Sequence, residues 1–249
     1  MDRCPLTYLP ADREGYSRAG LRRLSRRLEH LALFPYSAEE QRYEASQRAA
    51  KMSIQGMQPK LSARLDAVQG CFEIVDSAGT WIVKPQHHVF PQLPENEDLT
   101  MRMARAAGIA VPVHGLLRCA DGSLSYMIRR FDRPRRGVKL ALEDFAQLTG
   151  RSRKTKYDSS MERLVPVLDD YCTFPQLEKL RLFHLTLFCF LSGNEDMHLK
   201  NFSLITREGK VELSPAYDLL NTTIALSGAQ EEVALPLQGK KRQIGRASC

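Results

Sequence analysis

The sequence lacks several features that would place it in other classes of protein. Its six cysteines include no C-x-x-C pair and no histidine partner at zinc-binding spacing, so we expect reduced thiols rather than a metal or disulfide framework. No apolar run approaches the length that spans a membrane, and charges are spread through the N-terminal segment where a signal peptide would have an apolar core. These absences predict a cytoplasmic protein that has no membrane contact.

Recognised DNA-reading motifs are also missing, although the formal net charge of the chain is +7. Arginine and lysine concentrate in three segments, at 22–27, 129–136 and 151–156. Without a reading motif beside them, these segments favour solvated faces or contacts with a partner over sequence-specific binding of nucleic acid. The length of 249 residues and the hydrophobic content of 43% fit one two-lobed globular domain or two small ones.

The segment 192–203, SGNEDMHLKNFS, is the one around which we interpret the rest of the chain. Asp196 is followed five residues later by Asn201, which is the spacing of the protein-kinase loop in which Asp orients the attacking hydroxyl and Asn binds magnesium. A second acid, Asp218, follows between apolar neighbours, and carboxylate and carboxamide oxygens suit a hard cation. An ordinary solvated loop is the alternative for this spacing alone.

Two upstream segments fit the same chemistry. The polar segment 51–62 contains Gly56, whose backbone can approach phosphate oxygens, although it has neither a Walker nor a three-glycine pattern and a plain turn is the alternative. Lys84 ends an apolar strand, as the kinase lysine that pairs with nucleotide phosphates does, whereas a strand-end lysine is usually just exposed. In the acid-led helix that follows, Glu97 is the expected partner of Lys84, with Glu95 as an alternative, or these acids simply favour the helix N-terminus.

The order of predicted elements is that of a bilobal kinase, rich in strands first and in helices later. We predict an amphipathic helix at about 17–31, a helix after Ser37, and strands at 71–75, 80–84, 109–117 and 124–128. The first two of these strands are expected to form a hairpin, and segment 129–132 to be the hinge between lobes. Helices at 143–148, 162–171 and 175–191 follow, the last interpreted as buried and containing His184 as a core histidine.

These elements predict an α+β fold of the bilobal protein-kinase type. The expected organisation is an N-terminal extension over 1–50, a kinase N-lobe over 51–131 and a kinase C-lobe over 132–249. The segment 239–249 does not continue into the helices that a complete C-lobe needs, so we expect a truncated or frame-shifted C-terminus.

The ordered set of motifs resembles the HipA-like serine/threonine kinases, the toxins of bacterial toxin–antitoxin systems. The resemblance covers about residues 50–240 and rests on SIQGMQPKLS, WIVKP, ENEDLTM, YMIRRFDR, LEDFAQLTG, KYDS, GNEDMHLKNFS and AYDLL. No single motif is specific, and the specificity lies in their order along the chain.

The resemblance implies ATP and Mg²⁺ as cofactors and assigns roles to individual residues. Asp196 would be the catalytic base, and Asn201 and Asp218 would be the magnesium ligands. Ser53 matches the family's autophosphorylation serine, whose modification withdraws the phosphate-covering loop and silences the kinase. The expected nucleotide-binding residues are Gly56, Gln58, Lys60, Lys84, Arg130 and Phe131, with Glu97 as the supporting ion-pair partner.

Substrates of the family include aminoacyl-tRNA synthetases, so the resemblance implies a toxin that phosphorylates a synthetase and arrests growth. About 50 residues precede the phosphate-covering loop, fewer than in two-gene HipA toxins and similar to the short HipT-type toxin of the three-gene (HipBST) kind. A small antitoxin that resembles the missing N-terminal subdomain is therefore the expected partner, with a DNA-binding antitoxin as a further possibility.

Two other functions are compatible with parts of the sequence. Small-molecule kinases of the aminoglycoside or lipid type share the Asp-to-Asn loop, although the Ser53 loop argues against them. A non-catalytic binding module that recruits a DNA-binding antitoxin through its basic segments would keep the fold without the chemistry. Replacing Asp196 by Asn separates this module from a kinase, because only the kinase would lose its biological effect.

Overall fold

The computed structural model divides into two compact units, Met1–Asp98 with Pro112–Val138 and Leu99–Val111 with Lys139–Cys249. The structure describes residues 3–11, 15–48, 58–135, 137–225 and 231–242. Ser53 and Gly56 lie outside the described residues. Antiparallel sheets combined with separate helices confirm the predicted α+β class. The predicted domain boundaries stay predictions.

The first unit is built on a five-stranded antiparallel sheet with strand order β2-β1-β3-β5-β4. Helix α3 begins in this unit, and its residues after Asp98 belong to the second unit. In chain order the elements are α1 (Arg18–Leu24), α2 (Ala38–Arg48), β1 (Leu61–Asp66), β2 (Cys71–Ile74), β3 (Trp81–Lys84), α3 (Leu93–Ala106), β4 (His114–Arg118) and β5 (Leu124–Arg129).

The predicted hairpin between β2 and β3 is wrong, because β1 lies between them. Ala63 of β1 is opposite Ile74 on one side and opposite Trp81 on the other. The turn residues between β2 and β3 specify that the chain reverses there, but they do not specify which strand each one pairs with. The strands β4 and β5, in contrast, are adjacent in the chain and pair with each other in antiparallel fashion, although β4 begins at His114 and not at the predicted residue 109.

Helix α1 is shorter than the leucine pattern predicts. It ends at Leu24, since Ser25 adopts an extended backbone with φ −157°, yet Leu28 and Leu31 are still buried in the core of this unit. At Leu28 and Leu31 the leucine periodicity therefore indicates that the side chains are buried, but it does not indicate a helix. Helix α2 begins after Ser37 as predicted, and reciprocal hydrogen bonds join Ser37 and Glu40: Glu40 Oε2 accepts from the Ser37 N–H at 2.7 Å, and Ser37 Oγ accepts from the Glu40 N–H at 3.2 Å.

The second unit combines a three-stranded antiparallel sheet, of order β6-β7-β8, with helices. Short 3₁₀ turns lie at Arg153–Thr155, Met161–Arg163 and Leu199–Asn201. The remaining elements are β6 (Leu142–Asp144), α4 (Phe145–Leu148), α5 (Leu164–Tyr171), α6 (Pro175–Leu191), β7 (Ser203–Arg207), β8 (Lys210–Leu213) and α7 (Thr222–Ala225).

Helix α6 has the predicted bounds, with proline at its start. The interpretation of α6 as a buried helix is only half correct. Leu182 and Leu185 are buried, whereas Phe183 and Leu191 are 66% and 74% exposed. His184 is exposed as well, so its interpretation as a core histidine is wrong. The apolar composition of α6 concealed the fact that only one face packs.

The cysteines of the described residues are free thiols, as predicted. Four are buried and Cys71 is half-buried. Across the described ranges, no helix combines the length and the apolar character that crossing a membrane requires.

Candidate active site

Lys84 and Glu97 are brought together in the first unit. Lys84 is the last residue of β3 and is 3% exposed, and its Nζ lies 2.6 Å from Oε1 of Glu97, which is fully buried on α3. Glu95, the alternative partner, is half-buried, and burial raises the pKa of its carboxyl group. A buried ammonium group needs an anion beside it to offset the loss of water. The pair therefore holds α3 in a fixed position against the end of β3.

The residue after Glu97 connects α3 to two further segments. Asp98 Oδ1 lies 2.8 Å from His114 Nδ1 on β4, and Asp98 Oδ2 accepts a hydrogen bond of 2.8 Å from the hydroxyl of Tyr8. Asp98 and His114 are fully buried, and Tyr8 has a left-handed φ of 61°. Sequence reasoning missed this cluster. Its only local signal was the pair of consecutive acids in the helix.

The remaining predicted residues of this unit differ in their hydrogen-bond partners. Gln58 and Lys60 are half-buried before β1, and within the described part of the chain Gln58 Nε2 is buried without a hydrogen-bond partner. The guanidinium group of Arg130 binds both carboxylate oxygens of Asp132, at 3.0 and 2.7 Å. Although burial favours the neutral acid, Arg130 holds the pKa of Asp132 below its ordinary value. Phe131 between them is half-buried.

In the second unit, hydrogen bonds fix the loop that follows α6. Gly193 has φ +66°, and a Cβ atom there would lie 2.6 Å from Thr223 Oγ1, so both backbone conformation and space require glycine. The Thr222 hydroxyl donates to the Gly193 carbonyl at 2.9 Å and accepts from the Glu195 N–H at 2.8 Å. The chain is therefore held firmly immediately before Asp196.

Asn201 closes this loop back onto Asp196. Its Nδ2 donates to the Asp196 carbonyl at 2.9 Å, and the His198 N–H donates to the same oxygen at 2.9 Å. Because the amide nitrogen is used in this way, Oδ1 of the buried Asn201 lies on the other side of the amide, where it could bind a hard cation. The spacing of five residues thus has a structural reason, because it lets Asn201 close the loop onto the Asp196 carbonyl.

Asp218 follows β8 with φ 56°, a left-handed conformation that residues other than glycine rarely adopt. The hydroxyl of the preceding Tyr217 donates to the Lys200 carbonyl at 2.9 Å and so ties this segment to the Leu199–Asn201 turn. Among the described residues, no group of three or more His, Cys, Asp or Glu side chains is placed to bind a metal. The predicted site therefore depends on Asn201 and Asp218, and these oxygen donors fit Mg²⁺, which binds few protein ligands beside substrate phosphates.

Two residues that sequence reasoning did not single out contact the Asp196 loop. The hydroxyl of Tyr157 donates to Asp196 Oδ1. Lys156 Nζ lies 2.6 Å from His198 Nε2, and the Leu199 N–H donates to the Lys156 carbonyl at 3.2 Å. Burial, followed by the hydrogen bond to Asp196, raises the pKa of Tyr157, so the phenol keeps the proton that it donates. The KYDS motif that contains both residues gave no hint of this contact.

Comparison with known proteins places these residues in a family. A family model described as the HipA-like C-terminal domain matches residues 52–247. A Haemophilus influenzae protein named "Putative kinase" is 30% identical over 224 residues, which are 84% of this chain and 64% of that protein. The serine/threonine-protein kinase toxin HipA of Shewanella oneidensis is 28% identical over 193 residues, 69% of this chain and 43% of the toxin.

The fold has a similar match among solved structures. One chain of the Shewanella oneidensis toxin–antitoxin complex of HipA, HipB and operator DNA matches with a TM-score of 0.65 and 25% identity, over 86% of this chain and 56% of that chain. This match and the homology to a HipA kinase toxin confirm the predicted HipA-like, kinase-like fold. The chain spans less than two thirds of the length of each of these relatives.

Proposed function

Because the chain belongs to the HipA-like C-terminal domain family, we propose that it is a serine/threonine protein kinase that uses ATP and Mg²⁺. The buried Lys84–Glu97 pair is the observation that supports this function most directly. A lysine at the end of a strand, held by a glutamate on a helix, is the arrangement with which kinases position nucleotide phosphates. In the second unit, the hydrogen bond from Asn201 to the Asp196 carbonyl supports the proposal that this loop is the catalytic one.

In the proposed reaction, Asp196 accepts the proton of a serine or threonine hydroxyl group. The hydroxyl oxygen forms a bond to the γ-phosphorus, the bond from this phosphorus to the bridging oxygen breaks, and ADP leaves. Asn201 and Asp218 would hold Mg²⁺, which neutralises charge on the phosphates when it is bound. The hydrogen bond from Asn201 Nδ2 to the Asp196 carbonyl ties the proposed metal ligand to the backbone of the residue that carries the proposed base.

The proposed nucleotide site includes residues of the first unit. Lys84 positions the phosphates, and Glu97 keeps its ammonium group in place. Gly56, Gln58 and Lys60 belong to the proposed phosphate-covering loop, and Arg130 and Phe131 to the hinge that meets the adenine edge. The contact between Arg130 and Asp132 supports a role in shaping this hinge, with the backbone rather than the guanidinium group facing the nucleotide.

We further propose that the kinase is the toxin of a cytoplasmic bacterial toxin–antitoxin system. The name of the Shewanella oneidensis relative and the HipB antitoxin and operator DNA in the similar solved structure support this proposal. The proposed substrate is an aminoacyl-tRNA synthetase. The proposed partners are a small antitoxin of the three-gene kind and a DNA-binding antitoxin, and phosphorylation of Ser53 would switch the kinase off.

Intact mass tests the proposed chemistry. Phosphatase-treated protein is incubated with ATP and Mg²⁺ beside the variants Asp196→Asn, Ser53→Ala and Asp169→Asn, the last at an exposed aspartate of α5. The parent and Asp169→Asn should each gain one phosphoryl group, and Asp196→Asn and Ser53→Ala should gain none. Loss of the base should slow transfer about 10²- to 10⁴-fold. An unmodified parent, or equal gain in Asp196→Asn, would contradict the proposal.

Growth of a bacterial host tests the biological role. Expression of the parent should arrest growth, and Asp196→Asn at equal expression should not. A non-catalytic binding module would act equally well with either residue. Phosphate found on a small-molecule acceptor instead of on protein would assign the chain to the other kinase class.

A further inference from the structure

We propose that the Tyr157 hydroxyl occupies the position of the acceptor hydroxyl on Asp196 in the resting protein, and that a substrate hydroxyl must displace it. The inference rests on the proposed kinase function, because it takes Asp196 as the base. Tyr157 would then determine which hydroxyl groups reach the base. It would also limit how often a water molecule reaches the base.

The geometry at Asp196 carries the inference. The Tyr157 hydroxyl donates to Asp196 Oδ1, which is the hydrogen bond that a nucleophilic serine or threonine makes to its general base. A phenol and an aliphatic hydroxyl each present a single O–H donor, so one can replace the other without rearranging the acceptor.

Tyr157 is not needed to build the loop that it contacts. The backbone of Asp196 is already fixed by Asn201 Nδ2 and by the His198 N–H, both at 2.9 Å from its carbonyl oxygen. The Asp196 N–H also donates to Asn194 Oδ1 at 3.2 Å. The backbone that carries the carboxylate would therefore keep its place when the phenol leaves, so the loop does not depend on Tyr157 for its conformation.

The ring of Tyr157 is held by contacts that can be released. It packs edge-on against His198 with 5.0 Å between centroids, and Lys156 Nζ lies 4.8 Å from its centre. The residue remains 42% exposed. A side chain with this exposure loses few packing contacts when it rotates into solvent, and Lys156 can keep its 2.6 Å contact with His198 meanwhile.

Occupation of the base has a chemical use. An unoccupied carboxylate beside bound ATP would activate water, and the kinase would hydrolyse ATP without phosphorylating protein. A tyrosine in this position excludes water until an acceptor with its own hydroxyl displaces the phenol. The expected cost is a higher KM for the acceptor.

The test compares Tyr157→Phe, which keeps the ring and removes only the hydroxyl, with Tyr171→Phe at an exposed tyrosine of α5. All proteins carry Ser53→Ala so that their own loop is not modified. Two rates are measured: ATP hydrolysis without acceptor, and transfer to a synthetic peptide of residues 48–60, whose single serine is Ser53. The same peptide with Ser53→Ala is the blank.

Tyr157→Phe should raise ATP hydrolysis about three- to tenfold and lower the KM for the peptide by a similar factor, as expected for the loss of one competing hydrogen bond of ordinary strength at a partly exposed site. The kcat for the peptide should stay within about twofold. Tyr171→Phe should match its parent in both rates.

A fall in kcat with unchanged KM would make Tyr157 a positioning residue and overturn the inference. So would rates equal to those of the parent. A parent that neither hydrolyses ATP nor phosphorylates the peptide would instead show that the proposed function itself is wrong. Thermal unfolding midpoints of both variants near that of the parent exclude misfolding as the cause of any change.

Discussion

Lys84 on β3 and Glu97 on α3 form an ion pair with 2.6 Å between Nζ and Oε1, and both side chains are buried. Such a pair gains little net stability, because removing two charges from water costs about as much as their attraction returns. Its effect is on geometry, since neither charge can move without giving up this 2.6 Å contact. The same property makes the pair a suitable holder for a lysine that must meet phosphates.

Breaking the pair from one side should be costly. Lys84→Met leaves the buried Glu97 without its lysine, and we expect the free energy of unfolding to fall by about 3–5 kcal/mol. The double variant Lys84→Met/Glu97→Leu, which removes both charges, should recover most of this loss. Urea unfolding followed by fluorescence measures it directly, because the single tryptophan, Trp81, is buried on the same strand.

The exposed pair Arg64–Glu73 is the matched control for Lys84→Met. Its side chains are 47% and 43% exposed, and Arg64→Met should leave the unfolding free energy close to that of the parent, because solvent screens an exposed ion pair. A double variant at Lys84 and Glu97 that is no more stable than Lys84→Met alone would contradict the assignment of the cost to an unpaired buried charge.

The cluster of Tyr8, Asp98 and His114 should contribute separately to the stability of the first unit. Tyr8→Phe removes a hydrogen bond to a buried carboxylate and should cost about 1–3 kcal/mol. His114→Asn can still donate to Asp98 from its amide nitrogen, so it should be less destabilising than His114→Ala. Trp81 fluorescence in urea again provides the measurement. Equal losses for the two His114 variants would show that the ring volume matters and the hydrogen bond does not.

Short-range sequence patterns gave correct predictions where a few neighbouring residues determine the local structure. Proline at the start of α6 and the reciprocal bonds at Ser37 are local, and both helices begin where predicted. Contacts such as Tyr8 to Asp98, 90 residues apart, and Tyr157 to Asp196, 39 residues apart, leave no periodic signal. The predicted hairpin between β2 and β3 was wrong for the same reason. The pairing of a strand depends on the whole sheet, and here β1 lies between β2 and β3.

The Asp196 loop should also depend on a residue far from it in sequence, Asp144. One Asp144 oxygen caps α4 by accepting from the Gln147 N–H at 2.9 Å, and the other accepts from Lys200 Nζ at 2.9 Å. Asp144→Ser keeps the cap and loses only the half-exposed ion pair, so it should cost less than about 1 kcal/mol. Asp144→Ala loses both and should cost about 1–2 kcal/mol. Thermal unfolding of the two variants separates these effects. If both variants lose the same stability, the cap does not contribute to it.

His198 should make the stability of the second unit depend on pH. Burial lowers the pKa of His198, the charge of Asp196 opposes this effect, and that of Lys156 adds to it. A lowered pKa means that the folded protein binds fewer protons than the unfolded chain below about pH 6.5, the ordinary range for histidine. Stability should therefore fall as the pH drops from 6.5 toward the lowered pKa of His198.

His198→Asn tests this dependence, because an asparagine oxygen can replace Nδ1 as the acceptor for the Lys200 N–H without titrating in this range. Between pH 7.5 and about 5.5, the unfolding midpoint of the parent should fall more steeply than that of the variant. Burial also lowers the pKa of His87 in the first unit, so the variant should keep part of the slope and His87→Asn should remove a separate part. Parallel slopes for the parent and His198→Asn would mean that the pKa of His198 is the same in the folded and unfolded protein, and would contradict this prediction.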